Sequence, residues 1–289
     1  MRLSTMTNIH QIYQGNDYYF STAECIRACA AAGFKVMDLS LSGITQPGRY
    51  LHEEGSHEAW LKGVRAAMTE TGVVFSQSHS VFYGSGYLPG SSEYNSYLQN
   101  IKSNIKLSGM LGIPWTVVHP LNGKNLEGKS RDAIIRDNVR FCRSLLADMQ
   151  EYRVGVSIEN MIHEPFTSAD SLLELLDAID GGEYFGICWD TGHANLSKQD
   201  QPASILKLGN RLKMTHIADN RGNFDDHLLP YSGTIDWAPL VDAMKKSGYA
   251  GDFSYEVHNA SRNYPISLRS KFLKLAFDIG GCLLEGESR

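Results

Sequence analysis

Eight short runs of β-branched and aromatic residues recur along the chain, each followed by a longer stretch whose apolar positions return every three or four residues. The strand-like runs are LSTMTN (3–8), FKVMDLSL (34–41), VVFSQSHS (73–80), PWTVVHP (114–120), VGVSIEN (154–160), FGICWD (185–190), LKMTHIA (212–218) and DFSYEVH (252–258). The helical stretches carry recognisable ends. Ser21 with Glu24 forms a capping-box spacing ahead of CIRACAAA, and Gly33 stands where that helix should stop. Further helices are expected over 57–70, 93–110, 131–152, 168–179, 202–209 and 237–248, with a last one from Pro265 onward.

Strands that alternate with helices imply a parallel sheet, and eight such units imply closure into a barrel. The expected fold class is therefore α/β, a (β/α)8 TIM barrel, with 1–289 as a single domain. A length of 289 residues suits this, since such barrels commonly run to about 250 residues. A doubly wound open sheet would normally place a glycine-rich phosphate turn after its first strand, and NIHQIYQGND (8–17) is not one. The segments after strands are long, as in SGITQPGRYLHEEGS, VFYGSGYLPGSS and ADNRGNFDDHLLPYSGTID, whereas those leading into strands are short. Long loops on one rim mark the binding face, which in a barrel is the C-terminal rim.

From the third strand onward nearly every run ends in a side chain competent to bind a metal: His79, His119, Glu159, Asp190, His216 and Glu256. His193 follows Asp190 by three residues, and the loop after the seventh strand adds Asp225 and His227. One buried polar side chain at a strand end is readily satisfied by a backbone partner. Repetition changes the inference, because strand ends converge in a closed barrel and their carboxylates would repel one another while being desolvated together. A divalent cation resolves that conflict. Mixed carboxylate and imidazole ligands suit zinc, manganese, cobalt or iron better than calcium, and magnesium if water completes its shell.

The words SIEN, CWDTGHANL, THIADNRG, DDHLLPYSGTIDW and YEVH together resemble the xylose isomerase-like TIM-barrel superfamily over essentially the full chain. That group contains sugar-phosphate isomerases and epimerases, ketohexose epimerases, inosose dehydratases and the endonuclease IV group. The resemblance implies one divalent metal on Glu159, Asp190, His216 and Glu256, with Glu159 and Glu256 as the acid/base pair of an isomerase or epimerase working through an enediolate. It implies sugar contacts from His79, His119, His193, Asp225 and His227, and from Arg221, which stands one position short of the substrate arginine of ketohexose epimerases. Tyr83, with Phe82 and Tyr87 in the loop after the third strand, is placed to stack on a sugar or to form a lid. The same four histidines and one aspartate also occupy positions that complete a three-zinc cluster in the endonuclease IV group. A zinc phosphodiesterase is therefore kept as an alternative, beside a keto-sugar or inosose lyase or dehydratase (including C-glycoside cleavage) and a non-catalytic carbohydrate-binding barrel. The sequence departs from ketohexose epimerases at Pro165, where they keep a glutamate, and at Tyr231, where a glycine is usual.

Composition narrows the partners. A formal net charge of -5 argues against nucleic acid, and modest basic content leaves little to track phosphates. No apolar stretch approaches the roughly 20 residues of a membrane span, and the start MRLSTMTNIHQIYQGND lacks a signal-peptide core, so a cytoplasmic location and no membrane partner are expected. Five cysteines, Cys25, Cys29, Cys142, Cys188 and Cys282, with no CxxC pair, read as reduced core residues. Trp189 alternates with Asp190 and should face the helices. His10, His52, His57 and His258 are read as solvent-facing or locally bonded. A homo-oligomer is kept open.

Overall fold

The computed structural model describes residues 1–11, 13–14, 17–18, 20–45, 51, 54–82, 89–121 and 127–286. Tyr83, Tyr87 and His52 lie outside them. Eight strands run parallel: β1 Leu3–Met6, β2 Val36–Ser40, β3 Val74–His79, β4 Trp115–Val118, β5 Gly155–Glu159, β6 Phe185–Asp190, β7 Leu212–His216 and β8 Phe253–Tyr255. Their order is β8-β1-β2-β3-β4-β5-β6-β7. Across the last seam the Ile217 amide donates to the Ser254 carbonyl at 2.8 Å, and the Glu256 amide donates to the Ile217 carbonyl at 3.0 Å. Each strand of the expected eight is present, and the barrel closes between β7 and β8.

Ten α-helices are described: α1 Thr22–Ala32, α2 His57–Thr71, α3 Ser92–Met110, α4 Arg131–Arg143, α5 Leu146–Tyr152, α6 Ala169–Ile179, α7 Thr191–Leu196, α8 Gln201–Leu208, α9 Trp237–Lys246 and α10 Arg269–Glu285. The Ser21–Glu24 capping box forms, with Glu24 Oε2 accepting from the Ser21 amide at 2.8 Å. Gly33 ends α1 at φ 122, and a Cβ there would meet the Phe277 ring of α10 at 2.8 Å, so glycine serves both the turn and the packing. The single helix expected over 131–152 is two. Ser144 Oγ donates to the Phe141 carbonyl at 2.6 Å, and this competing acceptor bond coincides with the break.

The apolar core fills the layer between strands and helices: Val156, Ile158, Ile187 and Trp189 are buried there, and Trp189 Nε1 donates to Gln201 Oε1 of α8 at 3.3 Å. Strand alternation turns the opposite residues inward. Inside, a thin apolar layer of Val117, Cys188 and Met214 lies with polar Ser4, Asp38, Gln77, Ser157 and Ser254, all buried. The polar filling has a physical requirement, since buried polar atoms must find partners. Gln77 Nε2 donates to Asp38 Oδ2 at 2.6 Å, and Ser254 Oγ donates to Ser4 Oγ at 3.3 Å. All five cysteines are free thiols, four of them buried. Among the described residues no helix is long and apolar enough to cross a membrane.

Candidate metal centre

Glu159, Asp190 and His216 are the last residues of β5, β6 and β7, and Glu256 follows β8 directly. Their alternation therefore turns all four toward the barrel axis at its C-terminal mouth. One ligand atom from each lies within 4.8 Å of the others. Glu159, Asp190 and His216 are fully buried and Glu256 is 7% exposed. His216 Nδ1 donates to Glu159 Oε1 at 2.8 Å and stands 3.2 Å from Glu256 Oε2. Glu159 Oε2 and Asp190 Oδ2 are buried without hydrogen-bond partners, and His216 turns Nδ1 toward the two glutamates. Three carboxylates and an imidazole with orphaned buried atoms fit a divalent cation, which accepts electron pairs from all of them at once.

Five further predicted residues join the same cavity wall. His119 Nε2 approaches Glu159 Oε2 to 2.8 Å off the hydrogen-bonding line, and His79 Nε2 lies 3.7 Å from the same oxygen. His193 Nε2 and His227 Nε2 face Asp225 Oδ2 at 3.5 and 2.9 Å. Three of these histidines have their other nitrogen engaged by a carbonyl. His79 Nδ1 donates to Ser80, His193 Nδ1 to Asn160 and His227 Nδ1 to Glu256, at 2.7 to 2.9 Å. A ring nitrogen tied to a carbonyl orients the other toward its target, as in metal-binding histidines. The cavity they line has a volume of 680 Å³, within the range of small-molecule sites.

Electrostatics follow from crowding. Burial pushes the Asp190 carboxyl up to about 7, with Glu159, Glu256 and Asp225 adding to the rise against His193. Burial acts the same way on Glu159 and Glu256, but His216 more than offsets it, helped by His119 at Glu159 and by His227 at Glu256, and holds both well below the ordinary range. Burial pushes His216 and His193 down, yet Cys188 and the carboxylates around His216, and Asp190, Asp225 and Glu159 around His193, raise both well above the usual histidine value. His227 rises to about 9 against its own burial because Asp225 accepts from it. Protonated imidazoles thus balance the carboxylates wherever a cation does not.

The supporting frame was not singled out from the sequence. Asn160 Oδ1 accepts from the Asp190 amide at 2.6 Å and Asn160 Nδ2 donates to the Asp190 carbonyl at 3.0 Å, locking the ends of β5 and β6 together. Asp190 Oδ1 accepts from the His193 amide at 2.6 Å, so Asp190 caps the unforeseen helix α7 and sets His193 over the cavity. The signal for it was the three-residue spacing itself. Asp219 is fully buried and accepts from the Gly233 and Ile235 amides and from Trp237 Nε1 at 3.0 to 3.2 Å, anchoring the loop that carries Asp225 and His227. Tyr231 keeps the left-handed backbone, φ 70, where relatives were expected to have glycine.

Two expectations land elsewhere. The Arg221 side chain is two-thirds exposed and faces Asp226 at 3.8 Å, and it is not among the described residues lining the cavity. Of the histidines read as peripheral, His258 forms part of the cavity wall against His227, with ring centroids 4.1 Å apart. His10 is buried and stacks on Phe20 at 4.4 Å, and His57 is buried with Nε2 2.9 Å from the Leu51 carbonyl. Their burial comes from long-range packing that a local pattern does not display. Phe82 is half-exposed and stacks on His119 at 6.1 Å.

Among known proteins, the chain is 27% identical over 158 residues to an uncharacterized protein of Sinorhizobium fredii, covering 54% of this chain and 51% of that one. It is 26% identical over 180 residues to a probable endonuclease 4 of Methanoculleus marisnigri, covering 57% and 62%. It is 25% identical over 147 residues to D-psicose 3-epimerase of Enterocloster bolteae, covering 50% and 45%. The chain spans about half the length of the curated relatives it matches. Among solved structures, a D-tagatose 3-epimerase-like protein superposes with a TM-score of 0.73 at 19% identity, covering 100% of both chains. The 3-keto-D-glucoside 4-epimerase of E. coli gives 0.71 at 17% identity over 96% and 99% of the two chains. These likenesses show the fold. Residues 26–275 match the model of the xylose isomerase-like TIM barrel, and the chain belongs to that family.

Proposed function

We propose that this protein is a divalent-metal-dependent sugar isomerase or epimerase. The observation that carries it is the convergence of two buried glutamates, Glu159 and Glu256, on the same nitrogen of His216 in a four-ligand cluster, with both glutamates lining a 680 Å³ cavity. The sugar epimerases among the relatives and structural neighbours support the same chemistry. When bound by Glu159, Asp190, His216 and Glu256, a divalent cation supplies Lewis-acid stabilisation of negative charge on a carbonyl substrate, an effect of several kcal/mol. Glu159 and Glu256 then take a proton from the carbon beside the carbonyl and return one to it. Both are held ionised, the form that can accept a proton. His79, His119 and His193 line the same wall and orient hydroxyls.

A panel of keto- and aldo-sugars, assayed with added manganese, cobalt and zinc, tests this. Interconversion of a sugar pair at constant mass is expected with one of the metals. Loss of water or of an aglycone would move the protein to the lyases.

A polynuclear zinc phosphodiesterase is favoured by one specific observation: His193 and His227 both face Asp225 Oδ2, beside His79, His119 and Glu159, which lie close enough together to hold an ion. Elemental analysis giving about three zinc ions per chain, together with cleavage of abasic duplex DNA that falls steeply with salt, would select it.

A further inference from the structure

The cavity wall that follows β8 and β1 differs in kind from the metal-ligand wall. Arg269, the first residue of α10, lines it and is only 2% exposed. Its Nη1 donates to the His10 carbonyl at 3.1 Å and its Nη2 to the Ser261 carbonyl at 3.2 Å, while Nε has no partner. Among the described residues no carboxylate pairs with it. Arginine is rarely buried without a counter-charge, because two neutral carbonyls orient a guanidinium without cancelling it. Arg262, seven residues earlier on the same loop, also lines the cavity, is exposed, and likewise has no carboxylate partner among the described residues. Two unmatched cations thus face one end of the cavity.

The surroundings have the same sign. Asn259 and Asn263 add amide donors to this wall. The 17-residue helix α10 begins here with no side-chain cap and no acidic residue in its first turn, so its partial positive end is uncompensated. Facing them, the nearest acids of the metal wall are already engaged, Glu256 by His216 and Asp225 by His193 and His227. His10, pushed down to about 4 chiefly by burial, stays neutral and adds no charge of its own.

We propose that Arg262, Arg269, Asn259 and Asn263 form an oxyanion subsite, and that the substrate is an anionic sugar carrying a phosphate or carboxylate at the end away from its carbonyl. This rests on the sugar reading of the metal wall. The same cavity, of small-molecule size, is lined by Glu159 and Glu256 of the four-ligand cluster and by both arginines. Arg269 fixes the loop and supplies desolvated charge. Arg262 is free to close on the oxyanion, since a guanidinium fork matches both phosphate and carboxylate.

Calorimetric titration of the purified, manganese-supplemented chain with D-fructose, D-fructose 6-phosphate, D-gluconate and inorganic phosphate tests the subsite. The phosphate ester or gluconate should bind at least about tenfold more tightly than fructose, as a charge-assisted contact provides. Arg262→Ala should remove that advantage and leave fructose binding in place. Arg269→Gln, checked for folding by its thermal melt, should do the same. Competition by inorganic phosphate assigns a phosphate substrate, and tight gluconate binding without it assigns a carboxylate. Equal binding of charged and neutral sugars overturns the subsite while the sugar reading stands. Binding of inorganic phosphate that Arg262→Ala abolishes, with no sugar bound, keeps the subsite and overturns the sugar reading. No binding of any of the four overturns both.

Discussion

The His216 imidazole lies between carboxylates on both sides: Nδ1 is 2.8 Å from Glu159 Oε1, and Nε2 is 3.4 Å from Asp38 Oδ2 inside the barrel. Asp38 is fully buried and takes a hydrogen bond from Gln77 Nε2 at 2.6 Å, which fixes its carboxylate. A proton kept on Nε2 toward Asp38 leaves Nδ1 to supply its lone pair to a cation, the second-sphere arrangement of metal-binding histidines. Asp38→Asn should therefore weaken divalent-metal binding by about 10 to 100-fold. Metal titration followed by calorimetry is the check, with Asp38→Glu expected to recover part of the loss. Unchanged affinity in Asp38→Asn would leave Asp38 a packing residue only.

Metal affinity should also depend on pH in two stages. Burial brings the Asp190 carboxyl up to about 7, and His216 is held well above the ordinary histidine range despite its burial. Because both groups hold protons in the metal-free protein at acidic pH, each must release one for a cation to bind. The apparent affinity should rise by about a hundredfold per pH unit below pH 7, where two protons leave, and by about tenfold per unit above it, where only that of His216 remains. Titrations in buffers of different ionisation enthalpy count the protons directly. A pH-independent affinity would sink this assignment.

The strand ends were legible because each closes an apolar run with one polar side chain, a contrast visible without any partner in view. Asp38 and Gln77 were not, since both lie within β2 and β3 and only the closed barrel shows that they fill its interior. Arg269 and His10 are 259 positions apart, joined where β8 pairs with β1, and no local periodicity carries that contact. The break at Ser144 and the short helix α7 depend on single side-chain bonds, Ser144 to Phe141 and Asp190 to His193, that compete with regular helix patterning. Arg221 could not be placed from sequence because it sits in a loop, where no strand alternation fixes its direction, and it faces Asp226.

The loop carrying Asp225 and His227 should be sensitive at a residue that touches neither. A Cβ on Gly233 would stand 2.2 Å from both the Asn220 carbonyl oxygen and Asp219 Oδ1, and neither neighbour can yield, because Asp219 holds Gly233, Ile235 and Trp237. Gly233→Ala should cost on the order of 1–3 kcal/mol, seen as a lower melting temperature. It should weaken sugar binding as well, by displacing Asp225 and His227. A variant that melts and binds like the parent would show that the loop has more freedom than these contacts allow.

Glu159 and Glu256 both approach His216 Nδ1, at 2.8 and 3.2 Å, and in the proposed reaction each serves one face of the substrate. General acid/base groups contribute about 10² to 10⁴-fold, and Glu→Gln at either position should lower turnover by at least that much. Metal content must be measured on each variant first, because the same side chains are candidate ligands and a lost cation would mimic lost chemistry. Reaction in heavy water separates the two roles. A carboxylate that takes a carbon-bound proton exchanges it with solvent, so deuterium should appear at the carbon beside the carbonyl of both substrate and product. With one glutamate changed and metal retained, exchange should persist only into the epimer whose face the remaining glutamate serves, while interconversion of the two fails. Conversion of a true substrate with no deuterium uptake would point instead to hydride transfer between carbons, leaving Glu159 and Glu256 as ligands without a proton to carry.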